Sequence, residues 1–249
     1  MLNKDESFVN KDEHSEPVLN TQNAFQAPLW KKVFFASFGT AGLMIISLIT
    51  ALIVYFINQQ EDDAKTVLIT YSILFAVMFT IAAFDIPKLK NDFKKYQSYV
   101  YGGLMGFAIL GVTMSYTGIV NLFYQFNINE NELSAQNIIN TYPVASIFII
   151  GMAGPICEEL TYRVGIFSLL NKVNKYLAFA VTTVVFAFAH FDISSTHIAD
   201  EFINLPAYLA SGFMLTFAYY KLGFVGSMSA HITNNLIAVI TSITPFYLR

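Results

Sequence analysis

The sequence predicts an all-α protein, a polytopic transmembrane helix bundle of about seven spans with its N-terminus in the cytoplasm. Three observations lead there. The 249 residues are 55% hydrophobic and only 12% charged, with a mean hydropathy of +0.52, whereas a soluble domain carries about 25% charged residues. Apolar runs of about 20 residues, the length that crosses a bilayer, recur along the chain. The basic residues between them fall in alternate connections, as the positive-inside rule requires.

In order, the predicted spans are 33–57, 66–84, 98–124, 143–170, 176–193, 202–220 and 222–244. The third is interrupted by Tyr101-Gly102-Gly103, and the fifth is short unless it continues through 192–198. An eighth, re-entrant segment near 192–204 is the alternative layout. Lys4, Lys11, Lys31 and Lys32 precede the first span, and Lys88, Lys90, Lys94 and Lys95 separate the second and third. Lys172 and Lys175 follow the fourth, and Lys221 follows the sixth. The opposite connections hold Lys65 and Arg249 beside the acidic stretches 61–63 and 199–201.

Residues 1–30 read as a flexible polar cytoplasmic tail and 31–249 as the membrane domain. The tail carries Asp5, Glu6, Asp12, Glu13 and Glu16 against Lys4 and Lys11, which accounts for the whole net charge of −3. The remainder is balanced, so no nucleic-acid partner is expected. No cleavable signal-peptide pattern precedes the first span, which is expected to act as its own insertion signal. The single cysteine, Cys157, excludes an internal disulfide framework and a multi-cysteine metal site.

The chemistry lies in the polar residues inside the spans, where ionisable groups are costly and usually functional. Residues 154–163, GPICEELTYR, place Glu158, Glu159 and Arg163 near mid-depth. On a helix Glu158 and Glu159 point about 100° apart, whereas Glu159 and Arg163 share a face one turn apart. Glu159 preceding Arg163 is the favourable order for an ion pair, which leaves Glu158 to find partners on other spans. His190 and His231 are the candidates. Phe186 lies one turn before His190, and Asn235 one turn after His231. His14 and His197 are expected in solvent, Cys157 in a structural role, and the seven phenylalanines and tyrosines of 202–224 in packing or against lipid.

Three chemistries suit a carboxylate, two histidines and an amide. Glu158, His190 and His231 can hold zinc with an open position for water, although no HExxH helix is present. Without metal, Glu158 can act as a general base on water while the histidine–asparagine pair donates to an oxyanion. The same groups can also relay protons in a transporter, against which stands the absence of inverted repeats and the near-absence of acidic residues from the other spans.

The motifs Glu158-Glu159-x-x-x-Arg163, Phe186-x-x-x-His190 and His231-x-x-x-Asn235 stand in order on separate spans. Over about residues 140–245 the chain resembles the CPBP family, the CAAX-protease and bacteriocin-processing membrane proteins also called Abi. The resemblance implies an intramembrane endopeptidase similar to the type II CAAX prenyl endopeptidases. It implies that Glu158 with His190 activates water, that His231 and Asn235 stabilise the oxyanion, and that Glu159 and Arg163 support the site. No metal is favoured; zinc on Glu158, His190 and His231 is the alternative. The expected substrate is a membrane-associated peptide or protein, cut in the plasma membrane of a bacterium. The competing expectation is a non-proteolytic bacteriocin-immunity or signalling scaffold.

Overall fold

The computed structural model describes residues 27–84, 93–125 and 127–247, with side chains through residue 243. The predicted flexibility of the tail through residue 26, and the placement of Lys88 and Lys90, lie outside the described residues. Everything regular among the described residues is helical.

The first helix, α1 (Leu29–Asn58), is apolar along its length and widens into a π-helical turn at Phe38–Gly42. It stops at Gln59, whose left-handed backbone (φ 56) turns its N–H back to the Tyr55 carbonyl at 2.8 Å. Helix α2 (Asp63–Ala83) starts on an N-cap, the Asp62 carboxylate accepting from the Lys65 N–H at 3.0 Å. The acidic connection between the first two spans is therefore a capping device.

Helix α3 (Tyr96–Asn121) runs unbroken through Gly102 and Gly103, so the expected interruption does not occur. Those glycines mark close packing. A Cβ on Gly102 would collide with the Gly226 carbonyl, and one on Gly106 would lie 2.5 Å from the Ala230 carbonyl oxygen. Small residues spaced by four let two membrane helices approach backbone to backbone.

The polar helix α4 (Glu130–Thr141) was not anticipated as an element. Asn129 caps it, accepting from the Glu132 N–H at 3.1 Å, and the buried Glu201 accepts from the Glu130 N–H at 2.8 Å. Helix α5 (Pro143–Leu170) contains two π-helical stretches, Ile149–Ala153 and Glu159–Phe167. Its most apolar window is 56% buried, against 11% for those of α1 and α3, so α5 is the central helix. Phe35 of α1 and Leu74 and Met78 of α2 pack around Leu160, Val164 and Phe167 of α5.

Helix α6 (Lys175–Phe188) is capped by Asn174 and has only 14 residues. At 1.5 Å per residue it rises about 21 Å, short of the roughly 30 Å hydrocarbon core. The chain leaves it through turns at 189–197, so the helix does not continue to residue 193 or through 192–198, and residues 198–204 open the next helix. The last helical stretch, Ile198–Tyr247, is broken at Gly223 (φ 76, ψ −171), a conformation reserved for glycine. We call its halves α7 (198–222) and α8 (224–247). Ser98 bonds the Leu222 carbonyl and Tyr116 the Ile203 carbonyl, while Gly106 lies against Ala230. Helices α7 and α8 therefore run back to back along α3 as a hairpin.

Among the described residues, five helices are long and apolar enough to cross a membrane when Ile198–Ile243 is counted once. The outward side chains of α1, including Met44, Leu48, Leu52 and Phe56, are more than half exposed in the isolated chain, as lipid-facing residues would be. The protein is a polytopic helical membrane bundle; six of the seven predicted spans fall on these helices, and the span predicted at 176–193 falls on the shorter α6.

Candidate active site

The central helix presents its two glutamates to different neighbours. Glu159 and Arg163 are both fully buried, and Glu159 Oε1 lies 2.9 Å from an Arg163 guanidinium nitrogen. The pair keeps its i,i+4 contact although it lies within a π-helical stretch. Arg163 also donates to the Gly212 carbonyl of α7 at 3.2 Å and sits 4.6 Å over the Phe186 ring of α6. One ion pair thus joins three helices, and burial makes it intolerant of losing either member.

Glu158 instead faces a cavity. Its side chain is 18% exposed where that of Glu159 is 0%. Glu158 Oε2 lies 3.8 Å from His190 Nε2 and 3.7 Å from His231 Nε2. The cavity, about 50 Å³, is lined by Glu158, His190, Asn131, Tyr71, Thr161 and Tyr162 among others. A water needs about 10–15 Å³ by this measure, so there is room for one or more.

The imidazoles are oriented by their other nitrogens. His231 Nδ1 lies 2.9 Å from Glu159 Oε1, and His190 Nδ1 lies 2.8 Å from the Phe186 carbonyl oxygen. A carboxylate paired with arginine and a carbonyl can only accept, so each Nδ1 carries a proton and donates it. In the neutral imidazole each Nε2 is then an acceptor facing Glu158 Oε2, a buried atom with no protein hydrogen-bond partner. Three acceptors converging at distances too long for direct bonds suit a shared donor between them, such as water. One carboxylate oxygen and two imidazole nitrogens are zinc-type donors, but among the described residues no group of three such side chains is placed to hold a metal ion.

Three of the four expected catalytic residues therefore meet. Helix α6 stops at Phe188, which puts His190 in the turn at its end, level with Glu158. Asn235 does not join them. Its Nδ2 donates to the Ile150 carbonyl at 3.1 Å, and its Oδ1 accepts from Asn234 at 3.0 Å. It fastens α8 to the first π-helical stretch of α5. Cys157 is buried in the core cluster and His197 is exposed in the loop, as expected.

Tyr208, one of the aromatics of 202–224 expected to pack, packs against a candidate site residue. Its ring stacks on His190 with centroids 4.8 Å apart and planes 22° apart. Asn129 and Asn131, which no motif singled out, bond to its hydroxyl. The order Asn129-Glu130-Asn131-Glu132 is a capping-box pattern, so it could have revealed the start of α4.

The roof of the site is tied down from α7. Glu201 accepts from the Glu130 N–H through one oxygen and from the Asp192 N–H, at 3.1 Å, through the other. Asp192 in turn accepts from the Ser194 hydroxyl and N–H, which hold its carboxyl below the usual carboxylate range.

Residues 140–237 match the family described as type II CAAX prenyl endopeptidase Rce1-like. The chain is 30% identical over 145 residues to the UPF0177 protein YvdC of Lactococcus lactis, covering 56% of this chain and 52% of that one. It is 27% identical to the putative membrane peptidase YdiL of Bacillus subtilis, over 57% of this chain and 56% of the relative. It is 28% identical to the membrane-embedded CAAX protease MroQ of Staphylococcus aureus, over 57% and 62%. The matches thus span between half and two thirds of these relatives. No solved structure matches. The matched interval contains Glu158, Glu159, Arg163, His190, His231 and Asn235.

Proposed function

Because residues 140–237 carry an Rce1-like CAAX prenyl endopeptidase domain, we propose that the chain is an intramembrane endopeptidase hydrolysing a peptide bond in a membrane-associated peptide or protein. The observation that carries this reading is the approach of Glu158 Oε2 to His190 Nε2 and His231 Nε2 at 3.8 and 3.7 Å.

In the proposed reaction a water held among these atoms gives a proton to Glu158, assisted by His190, as its oxygen attacks the scissile carbonyl. The carbonyl π electrons move to oxygen. His231, oriented at Nδ1 by Glu159, donates to that oxyanion from Nε2 in its doubly protonated form, the second proton being taken up from solvent before the substrate binds. Collapse of the tetrahedral intermediate breaks the C–N bond, and the amine leaves with the proton from Glu158. Asn235 reaches the oxyanion only by releasing the Ile150 carbonyl, so its contribution is smaller than that of His231. Glu159 and Arg163 act by fixing His231 and the helices around it.

This sequence of proton transfers needs no metal, since Glu158 and the histidines supply both base and acid. A zinc ion held by Glu158, His190 and His231 would instead polarise water as a Lewis acid. Metal analysis of active protein and its response to a chelator separate the two.

The proposed setting is a bacterial plasma membrane with the N-terminus in the cytoplasm. Lys32 lies near Lys172, and Lys175 and Lys221 both lie over Tyr220, so basic residues gather at one end of the bundle. Glu130, Asp192, Asp200 and Glu201 gather at the other. That asymmetry supports the orientation.

The test compares membrane peptides in cells carrying the wild-type chain or Glu158→Gln. Peptides or protein ends that accumulate uncut only in the variant support a protease and name its substrate. Protection or signalling that survives Glu158→Gln, with no change in any peptide, would favour the immunity or scaffold reading.

A further inference from the structure

Of the three side chains that meet at the cavity, His190 alone lies outside a helix. It sits in a turn beyond the last residue of α6, tied to the helix by its own N–H to the Ala187 carbonyl at 3.1 Å. Its ring is nevertheless held from several directions. Phe186 approaches one side, with centroids 4.7 Å apart and planes inclined by 45°. Tyr208 of α7 stacks on it at 4.8 Å and 22°. The backbone is held as well, because Asn129 Nδ2 donates to the His190 carbonyl at 2.8 Å.

These contacts close into a ring. The Tyr208 hydroxyl donates to Asn129 Oδ1 at 3.1 Å and accepts from Asn131 Nδ2 at 3.3 Å. Asn129 itself is buried and caps α4 through the same Oδ1. The side chain that holds the His190 backbone is thus bonded to the tyrosine that holds the His190 ring.

We propose that Tyr208 is a positioning residue for His190, setting the imidazole plane so that Nε2 points at Glu158, with Asn129 and Asn131 fixing the tyrosine. A stacked ring removes rotation of His190 about its side-chain bonds, which the single bond from Nδ1 to the Phe186 carbonyl leaves open. Misplacement of a reacting group by about 1 Å can cost about 100-fold in rate, so the stack has a kinetic consequence without touching the substrate.

The kinetic part of this inference rests on the hydrolase reading above, and the experiment therefore has a second, activity-independent arm. Purified wild-type, Tyr208→Phe, Tyr208→Leu and Tyr208→Met proteins are treated with diethyl pyrocarbonate, which carbethoxylates accessible imidazole nitrogens, and labelling is read by peptide mass spectrometry. Tyr208→Leu and Tyr208→Met are expected to raise the His190 labelling rate several-fold while His231, buried against Glu159, keeps its rate. Tyr208→Phe keeps the ring but loses the hydroxyl bonded to Asn129 and Asn131, so its labelling falls between wild type and the aliphatic variants. Against a quenched peptide carrying the cleavage site found in vivo, Tyr208→Leu and Tyr208→Met lower kcat by up to about 100-fold with KM unchanged, and Tyr208→Phe keeps most of kcat. Unchanged His190 labelling in the two aliphatic variants overturns the proposal, as does unchanged kcat. Should Tyr208→Leu also release His231, its fold is disturbed and Tyr208→Met decides. A labelling change in a protein that cleaves no peptide leaves the positioning role standing and removes the hydrolase reading.

Discussion

His231 Nδ1 and Glu159 Oε1 are 2.9 Å apart, and Glu159 is held at the same oxygen by Arg163 at 2.9 Å. The second glutamate of the pair is therefore the orienting group for a histidine that faces the first. Adjacent carboxylates in one helix thus have separate tasks, one buried and paired, one open to a cavity.

Removing the charge of Glu159 should unfold more than it inactivates. Glu159→Gln leaves Arg163 as a fully buried cation without a counter-charge, a change that costs about 3–5 kcal/mol in protein interiors. Thermal unfolding of the detergent-solubilised protein is expected to shift sharply downward, whereas Glu158→Gln should leave the transition within a degree or so of wild type, since Glu158 Oε2 has no protein hydrogen bond to lose.

The contact of α3 with α8 sets the position of His231. Gly106 lies against the Ala230 carbonyl, one residue before His231. Gly106→Val must push the helices apart, at a cost of about 1–3 kcal/mol for overpacking. Reduced thermal stability together with reduced activity is expected, while Gly111→Val, at a position with open space around it, should change neither by a comparable amount.

Glu201 holds α4 and the 189–197 loop together. Glu201→Ala leaves the Glu130 and Asp192 N–H groups without their acceptor, at about 1–3 kcal/mol. Hydrogen–deuterium exchange should rise in residues 127–133 and 190–196 and remain unchanged in α1. Exchange that rises uniformly, or not at all, would contradict the assignment.

Acid should loosen the same loop. Ser194 holds the Asp192 carboxyl below the usual carboxylate range. A folded-state pKa below the unfolded value contributes stability above the unfolded value of about 3.9, and that contribution is lost as pH falls through the folded one. Exchange in 190–196 is expected to increase below about pH 4, and Asp192→Asn should show the increase already at neutral pH.

Much of the site was legible because polar residues in apolar spans are so few. Glu159 and Arg163 declared themselves by helical spacing, and His190 and His231 by their setting. The depth of His190 was not legible, because it depends on α6 stopping at Phe188 and on π-helical stretches that no local pattern announces. Tyr208 was hidden for another reason. An aromatic among seven in one stretch looks like packing until the helix that carries it is seen beside His190. Asn235 shared the face of His231 as predicted, but its amide was already taken by the Ile150 carbonyl, a partner 85 residues away. Spacing within a helix reveals which residues share a face, and not what stands opposite.

The central claim is that Glu158 activates water for peptide hydrolysis. Its most direct test is single-turnover cleavage of the in-vivo substrate peptide by purified protein in lipid nanodiscs, wild type against Glu158→Gln. The account predicts cleavage at one bond by the wild type and none above background by the variant, with both proteins equally folded and equally able to bind the peptide. Cleavage by Glu158→Gln at the wild-type rate would contradict it.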